Sequence, residues 1–203
     1  MRRTVILSAF VLAFTGSAAF AGEAADTAAK AKEVVQTLGE STVAAAKIDD
    51  KDARRKSLVE AAAPTMDFQT IGSGVLAHTG VKVPDGLKAE VLDGVIAYVA
   101  KQVINEIERI RPEAAKVGTS SVKSEDEVRV GMTLTGVKDQ IDADWVVKKQ
   151  SEGWRITDVM VSGNSLTAHF GGQLSRRARG ELEQLVDFLR AEQKRDRVAL
   201  LAR

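Results

Sequence analysis

Hydrophobic residues recur every three or four positions through the first half of the chain, which is the spacing of one face of a helix. This spacing predicts a helix over residues 26–47, a second helix that ends before Pro64, and a third over residues 68–76. Glycine and proline then mark residues 78–86 as a loop. The chain is therefore expected to begin as a series of helices joined by short connections.

Short polar side chains stand where several of these helices begin. Asp50 or Asp52 precedes the second helix, Asp67 precedes the third, and Asn164 or Ser165 precedes a helix in the last part of the chain. Such side chains accept hydrogen bonds from backbone N–H groups that have no partner in the first helical turn. They are therefore the candidate N-terminal caps.

The strongest helical pattern covers residues 87–111 and stops at Pro112, which cannot continue a helix. Its apolar stripe is widest in the N-terminal half, so that half should be covered on more than one side. The stripe consists of Val91, Leu92, Val95, Ile96, Tyr98, Val99, Val103, Ile107 and Ile110.

The pattern then changes to alternation of apolar and polar residues over residues 128–135, 141–148 and 154–157, with a weaker strand over residues 117–123. Alternation of this kind is typical of antiparallel strands with one buried face. Near Thr157-Asp158 the apolar positions shift from even to odd numbers, which predicts a bulge or a strong bend.

Helical spacing returns after Gly163, although Gly171 and Gly172 indicate a loose helix, and residues 190–203 are expected to fray as a charged tail. The order of helices, strands and helices predicts an α+β fold. We expect about four antiparallel strands in a curved sheet with helices packed on one face.

The first 21 residues differ from the rest of the chain. They begin with Arg2 and Arg3, continue as an apolar run and end in Ala19-Phe20-Ala21, where small residues flank one large one. This arrangement is typical of a cleaved secretory signal peptide. Residues 22–203 are then expected to form a single exported domain.

Charge and cysteine content narrow the possible functions. Cleavage of residues 1–21 removes two of the 29 basic residues and no acidic ones, so 27 bases face 28 acids. A chain with that balance lacks the basic excess of a non-specific nucleic-acid binder. Because there is no cysteine, thiol chemistry, disulfides and zinc–thiolate sites are excluded.

Candidate chemistry is sparse. Ser165, His169 and Asp158 could form a catalytic triad, but Ser165 and His169 could equally be a helix cap and part of a polar helix face. Asp142 and Asp144 could bind a cation, or could simply be the solvated face of a strand. No glycine-rich phosphate loop is present, so neither enzyme activity nor a cofactor is expected.

A basic cluster follows the first helix of the C-terminal part. It consists of Arg176, Arg177 and Arg179. These arginines could dock on anionic headgroups or on an acidic partner, and the alternative is a solvated basic helix end.

Two apolar surfaces remain, on the long helix and on one face of the sheet. They form either an ordinary core or the wall of a cavity for a long apolar ligand, and the pattern alone leaves both interpretations open. The candidate wall residues are Leu92, Val95, Ile96, Val99, Val103, Val130, Met132, Leu134, Ile141, Ala143, Trp145, Val147, Trp154 and Ile156.

Residues 142–166, DADWVVKKQSEGWRITDVMVSGNSL, resemble the periplasmic phospholipid-binding family MlaC, also called the toluene-tolerance family. Upstream, Asp67-Phe68 and Val75-Leu76 are similar to another segment of that family. Departures such as Ala77 in place of a glycine and a long helix without phenylalanine indicate a divergent branch of the family. One such branch accompanies hopanoid biosynthesis. The residues of the C-terminal motif are Trp154, Ile156, Asp158, Val159, Gly163, Ser165 and Leu166.

The resemblance implies a nuclear-transport-factor-like or cystatin-like curved sheet with helices on its concave side, enclosing a cavity for acyl chains. It adds Val75 and Leu76 to the candidate lipid-binding residues. It also implies a periplasmic carrier of phospholipid or a related lipid. The implied partners are an inner-membrane ABC lipid transporter and an outer-membrane lipoprotein complex, between which the carrier would shuttle.

Two other functions remain alternatives at this point. The apolar groove of a non-catalytic periplasmic assembly factor would take a partner peptide or helix. A small isomerase or dehydratase would need an Asp/His or Asp/Tyr pair inside the curved sheet, where Tyr98 is the only tyrosine available.

Overall fold

The computed structural model describes residues 17–137 and 139–195 of the chain. The predicted signal peptide lies mostly outside this part, and its last residues, 17–21, belong to the first helix. The elements, in chain order, are α1 Ser17–Ala46, α2 Lys51–Ala62, α3 Phe68–Thr79, α4 Asp85–Ile110, β1 Pro112–Ser124, β2 Glu127–Gly136, β3 Gln140–Gln150, β4 Gly153–Val161, β5 Asn164–Ser165, α5 Leu166–Ala178 and α6 Leu182–Arg195.

The predicted caps are present, and the structure chooses between the alternatives. Asp50 accepts a hydrogen bond from the backbone N–H of Ala53 at the start of α2. Asp67 accepts from Thr70 in α3, and Ser165 accepts from Ala168 in α5. Each acceptor satisfies a donor in the first turn of its helix, so each helix begins where a capping side chain stands.

The sheet is antiparallel with its strands in the order β1-β2-β3-β4-β5, so the α+β prediction with an open curved sheet is confirmed. The pairing of β3 with β4 shifts between Val146, opposite Asp158, and Val147, opposite Ile156. Thr157 is therefore the extra residue of the predicted bulge. The expectation of about four strands is met by β1–β4, and the two-residue β5 adds a fifth to the described sheet.

Several predicted boundaries were wrong. Helix α3 continues to Thr79, because Gly80 adopts a left-handed conformation (φ 71°) that ends the helix there, and α4 already begins at Asp85. The predicted loop over residues 78–86 is thus reduced to residues 80–84. Strand β1 covers Pro112–Ser124 and so extends well beyond the predicted strand over residues 117–123, because hydrogen bonds to β2 rather than an alternating pattern define it.

The C-terminal part is more regular than the sequence indicated. Helix α5 passes through Gly171 and Gly172 without interruption. Gly171 lies against α3, where there is no room for a side chain. Residues 190–195 belong to α6 rather than to a frayed tail. The rest of that predicted tail lies outside the described residues.

Helices cover one face of the sheet in two groups. Helix α1 packs directly on it, with Ala31, Val35 and Leu38 against strand residues such as Val128 and Val130. Helices α3, α4, α5 and α6 form a second core of their own. Among residues 17–137 and 139–195, no helix is both long and apolar enough to cross a bilayer.

The connection between α2 and α3 attaches the second group to the sheet. Ile156 in β4 donates its backbone N–H to the carbonyl of Thr65 and accepts from the N–H of Asp67, both at 2.8 Å. The Arg155 guanidinium also donates to the carbonyls of Ala63 and Pro64. These bonds fix where α3 begins, and α3 in turn positions α4 and α5 above the sheet.

Candidate functional site

A cavity of about 580 Å³ lies between the sheet and the helices. Helices α1–α5 and strands β2–β4 all contribute to its wall. Most of the lining side chains are aliphatic or aromatic, and its volume is within the range of small-molecule sites. The lining residues are Leu38, Thr42, Leu58, Val59, Ala62, Met66, Phe68, Ile71, Val99, Ala100, Gln102, Val103, Ile104, Glu106, Ile107, Met132, Leu134, Ile141, Ala143, Trp145, Val159, Val161, Asn164, Leu166, His169, Phe170 and Gln173.

The sheet forms the floor of the cavity. Met132 stands opposite Ala143, and Leu134 stands opposite Ile141, in the pairing of β2 with β3. Because side chains alternate between the two faces of a strand, directly opposed residues lie on the same face. The alternation in the sequence thus places all four side chains, with Trp145, under the cavity.

Helix α4 forms the roof. Val99, Val103 and Ile107 follow one another at four-residue intervals and therefore lie along one side of the helix. Gln102 and Glu106 repeat the same interval one position earlier and place polar groups at the edge of the cavity. The narrow C-terminal part of the apolar stripe is thus the part that faces the cavity.

Some of the predicted wall residues line this cavity. They are Val99, Val103, Met132, Leu134, Ile141, Ala143 and Trp145. Lipid contact by these residues stays a prediction, since no ligand is present.

The other predicted wall residues pack elsewhere. Val130, Val147, Trp154 and Ile156 belong to the core under α1. Val75, Leu76 and Val95 belong to the core formed by α3–α6. The side chains of Leu92 and Ile96 pack against Gly72 of α3. Val95 and Ile96 do not line the cavity, because other helices cover the N-terminal half of α4.

The wall contributed by α1 and α2 was not predicted from the sequence. Leu38, Leu58 and Val59 all lie on predicted amphipathic helices, and that spacing was the available signal. Periodicity shows that a helix has an apolar face, but it does not show whether the face meets side chains or empty space.

A buried ionic cluster holds α2 against α4 beside this wall. Glu108 accepts from Arg55 at 2.8 Å and from Arg54 at 3.3 Å, and both arginines are 7% exposed. Arg54 also donates to the carbonyl of Ile48, and Arg55 donates to the side chain of Asn105. A buried charge needs such partners, so the cluster fixes the spacing of the two helices that carry Leu58 and Ile104.

Polar side chains gather at one edge of the cavity, where α4 approaches α5. The hydroxyl of Tyr98 donates to Oε1 of Gln173 at 2.7 Å. Nε2 of Gln173 lies 2.7 Å from Nε2 of His169, which is exposed. Burial raises the pKa of the Tyr98 hydroxyl, which Glu192 raises further and Arg177 lowers. Tyr98 is therefore a neutral donor at physiological pH.

The candidate triad does not assemble. The hydroxyl of Ser165 donates to Asp158 at 2.6 Å and caps α5, while His169 contacts Gln173. Among the described residues, no hydrogen bond joins Ser165 to His169. The histidine of the candidate triad is therefore not in place to act as the base that activates the serine.

In the candidate cation site, the carboxylate of Asp142 is hydrogen-bonded to neighbouring side chains. Asp142 accepts hydrogen bonds from Thr133 and Gln140, and these bonds lower the pKa of its carboxyl group. Within the described part of the chain, no group of three or more acidic or histidine side chains could hold a metal ion.

The three arginines of the basic cluster lie at the exposed C-terminal end of α5. Arg179 caps the helix in a left-handed conformation with φ 50°. The guanidinium carbon of Arg177 lies 5.3 Å from the ring centre of Phe188 in α6, which is a cation–π distance. Arg177 therefore differs from Arg176 and Arg179 in having a fixed aromatic neighbour.

Comparisons with known proteins agree with the fold. One solved structure, of a phospholipid-binding protein from Ralstonia solanacearum in complex with a phospholipid, is 20% identical to this chain. It aligns with a TM-score of 0.65 over 86% of this chain and 99% of its own. No curated protein matches the chain significantly. The model of the family described as MlaC protein matches residues 29–191, and the chain therefore belongs to the MlaC family.

Proposed function

We propose that this protein is a lipid carrier that shelters the acyl chains of a phospholipid, or of a related lipid, in the apolar cavity. The observation that carries this proposal is the cavity itself, about 580 Å³ between the α4 roof and the β2–β3 floor. Membership of the MlaC family supports it, and so does the phospholipid bound by the structural relative from Ralstonia solanacearum.

The energetics of lipid transfer explain why such a wall suffices. Exposing an acyl chain to water costs roughly 0.8 kcal/mol for each CH₂ group. A carrier lowers that cost by surrounding the chain with apolar side chains such as Val103, Met132 and Ile141. Transfer makes and breaks no covalent bond, so this function needs neither a catalytic group nor a cofactor.

The pathway is also part of the proposal. Residues 1–21 would direct the chain to the periplasm, where it would shuttle lipid between an outer-membrane lipoprotein complex and an inner-membrane ABC transporter. Arg176 and Arg179 are exposed at the end of α5 and are the proposed contacts with a partner. Arginine suits this role, because its planar guanidinium pairs with carboxylates at a protein surface.

Two tryptophan substitutions test the cavity. Val103→Trp places a large ring in the cavity, so it should reduce the lipid bound per protein while the midpoint of thermal unfolding stays near the wild-type value. Val130→Trp is the matched control, because Val130 is fully buried in packed core and does not line the cavity. Overpacking should cost that variant roughly 1–3 kcal/mol of stability. Equal loss of stability in both variants, with unchanged lipid content, would reject the cavity as the lipid site.

A further inference from the structure

A second recess, of about 410 Å³, adjoins the apolar cavity between α4, α5 and α6. The two spaces share the side chains of Gln102 and Gln173. Unlike the cavity, the recess is lined mainly by hydrogen-bonding groups. Its residues are Tyr98, Gln102, Gln173, Arg177, Phe188, Ala191 and Glu192. A molecule with an apolar part and a polar part could therefore occupy both spaces at once.

Among the described residues, the recess contains one positively charged side chain that is not paired with a carboxylate. Glu192 is paired with Lys101 at 2.8 Å, and both side chains are mostly buried. Arg177 rests on Phe188, and no carboxylate of residues 22–194 lies within ion-pair distance of it. The recess thus offers a guanidinium that is held in place but not neutralised.

The two glutamine side chains of the recess differ in their hydrogen bonding. Gln173 is fixed at both ends, since its oxygen accepts from Tyr98 and its nitrogen contacts His169. The Gln102 side chain makes no hydrogen bond within the described part of the chain, although it is half-buried and lines both spaces. Its amide is therefore available as a donor at the point where the recess meets the cavity.

We propose that the recess is a headgroup site in which the Arg177 guanidinium and the Gln102 amide bind the phosphate diester of a lipid whose chains occupy the apolar cavity. The proposal rests on the proposed carrier function. A guanidinium matches the geometry of phosphate oxygens and stays charged at all physiological pH values. A phosphate diester carries one negative charge, which balances the single uncompensated charge of Arg177.

A competition between two lipids with the same chains tests this site. The full-length protein is incubated with vesicles that contain equal amounts of phosphatidylglycerol, which has a phosphate diester, and diacylglycerol, which has none. The protein is then separated, and its bound lipids are extracted and counted by mass spectrometry. We expect the wild type to be enriched in phosphatidylglycerol. Arg177→Gln and Gln102→Glu should each lower that enrichment, the ratio of bound phosphatidylglycerol to bound diacylglycerol, about fivefold or more.

Arg129→Gln is the matched control, because Arg129 is exposed on β2 and lines neither space, and it should keep the wild-type enrichment. Equal uptake of both lipids by the wild type would overturn the headgroup site and leave the carrier function standing, as would wild-type enrichment in both recess variants. Uptake of neither lipid would overturn the carrier function, and the headgroup site with it.

Inorganic phosphate separates a lipid site from a site for the free anion. Phosphate added during the incubation should not reduce uptake of phosphatidylglycerol, because the acyl chains supply most of the binding free energy. Binding of inorganic phosphate that depends on Arg177, together with lipid uptake that does not, would show that the recess holds free phosphate and that its assignment to lipid is wrong.

Discussion

The hydroxyl of Tyr98 on α4 donates a 2.7 Å hydrogen bond to the side chain of Gln173 on α5. This bond lies where the apolar cavity meets the recess, since Gln173 lines both. The Tyr98 ring also meets Phe170 and Phe188 edge to face, at 6.2 and 5.6 Å between ring centres. One side chain therefore holds together the three helices that surround the polar end of the site.

The raised pKa of Tyr98 makes stability depend on pH in the alkaline range. Folding favours the neutral hydroxyl, so this contribution is fully present below the ordinary pKa of 10.0 and is lost as pH rises through the higher folded value. We expect the tyrosinate absorbance of the native protein, which has one tyrosine, to appear above that ordinary pKa. In urea unfolding, the wild type should lose more stability than Tyr98→Phe between pH 8 and pH 11. Ionisation of Tyr98 at the ordinary pKa would contradict the burial of its hydroxyl group.

Gly171 and Gly172 should respond in opposite ways to alanine. A Cβ at Gly171 would lie 2.7 Å from the backbone oxygen of Val75, so Gly171→Ala must push α5 away from α3 and should cost roughly 1–3 kcal/mol. Gly172→Ala is the control, because its Cβ would meet only the flexible end of Arg176 at 3.7 Å. That change should stabilise the helix by about 0.5–1 kcal/mol. Chemical denaturation measures both, and equal effects would show that the helices do not meet as described.

Removal of the shared carboxylate from the buried ionic cluster should be costly. Glu108→Gln removes the carboxylate that Arg54 and Arg55 share in the α2–α4 interface, and the expected loss is about 3 kcal/mol of unfolding free energy. Glu90→Gln breaks an exposed pair with Arg190 and should cost at most about 1 kcal/mol. The two variants are compared by urea unfolding at one pH. A loss for Glu108→Gln as small as that of the control would mean that the cluster does not hold the helices together.

Substitutions at the end of α5 should impair docking without affecting lipid binding. Arg176→Glu combined with Arg179→Glu should slow lipid transfer to the proposed membrane partner, while the lipid already bound stays bound, because neither arginine lines the cavity or the recess. The effect should weaken at high salt, since the contacts are exposed charges. Transfer at the wild-type rate at low salt would rule out these residues as the docking contacts.

Local patterns predicted much of the fold because local chemistry decides it. Asp67 was recognisable as a cap, and Asp50 and Ser165 each as one of two candidates, because such side chains bond to donors only three residues away. The bulge at Thr157 was visible as a change in the phase of alternation. Strand β1 was underestimated, because most of its side chains are exposed and show no apolar alternation.

The cavity was only partly predictable, because its position depends on which helices cover α4. The apolar stripe of α4 is continuous from Val91 to Ile110, yet Val95 meets other helices and Val103 meets the cavity. Nothing local distinguishes these two valines. Gly171 and Gly172 were interpreted as a weakness in α5, whereas Gly171 permits its close contact with α3, a feature that only the partner helix shows.

The most direct test of the central claim is a count of the lipid that accompanies the protein. The protein is purified without detergent, denatured and extracted, and its lipids are quantified by mass spectrometry against the protein concentration. A carrier with this cavity should retain about one phospholipid, or one related long-chain lipid, per protein chain. A stable, folded protein that arrives empty and takes up no lipid from vesicles would contradict the account.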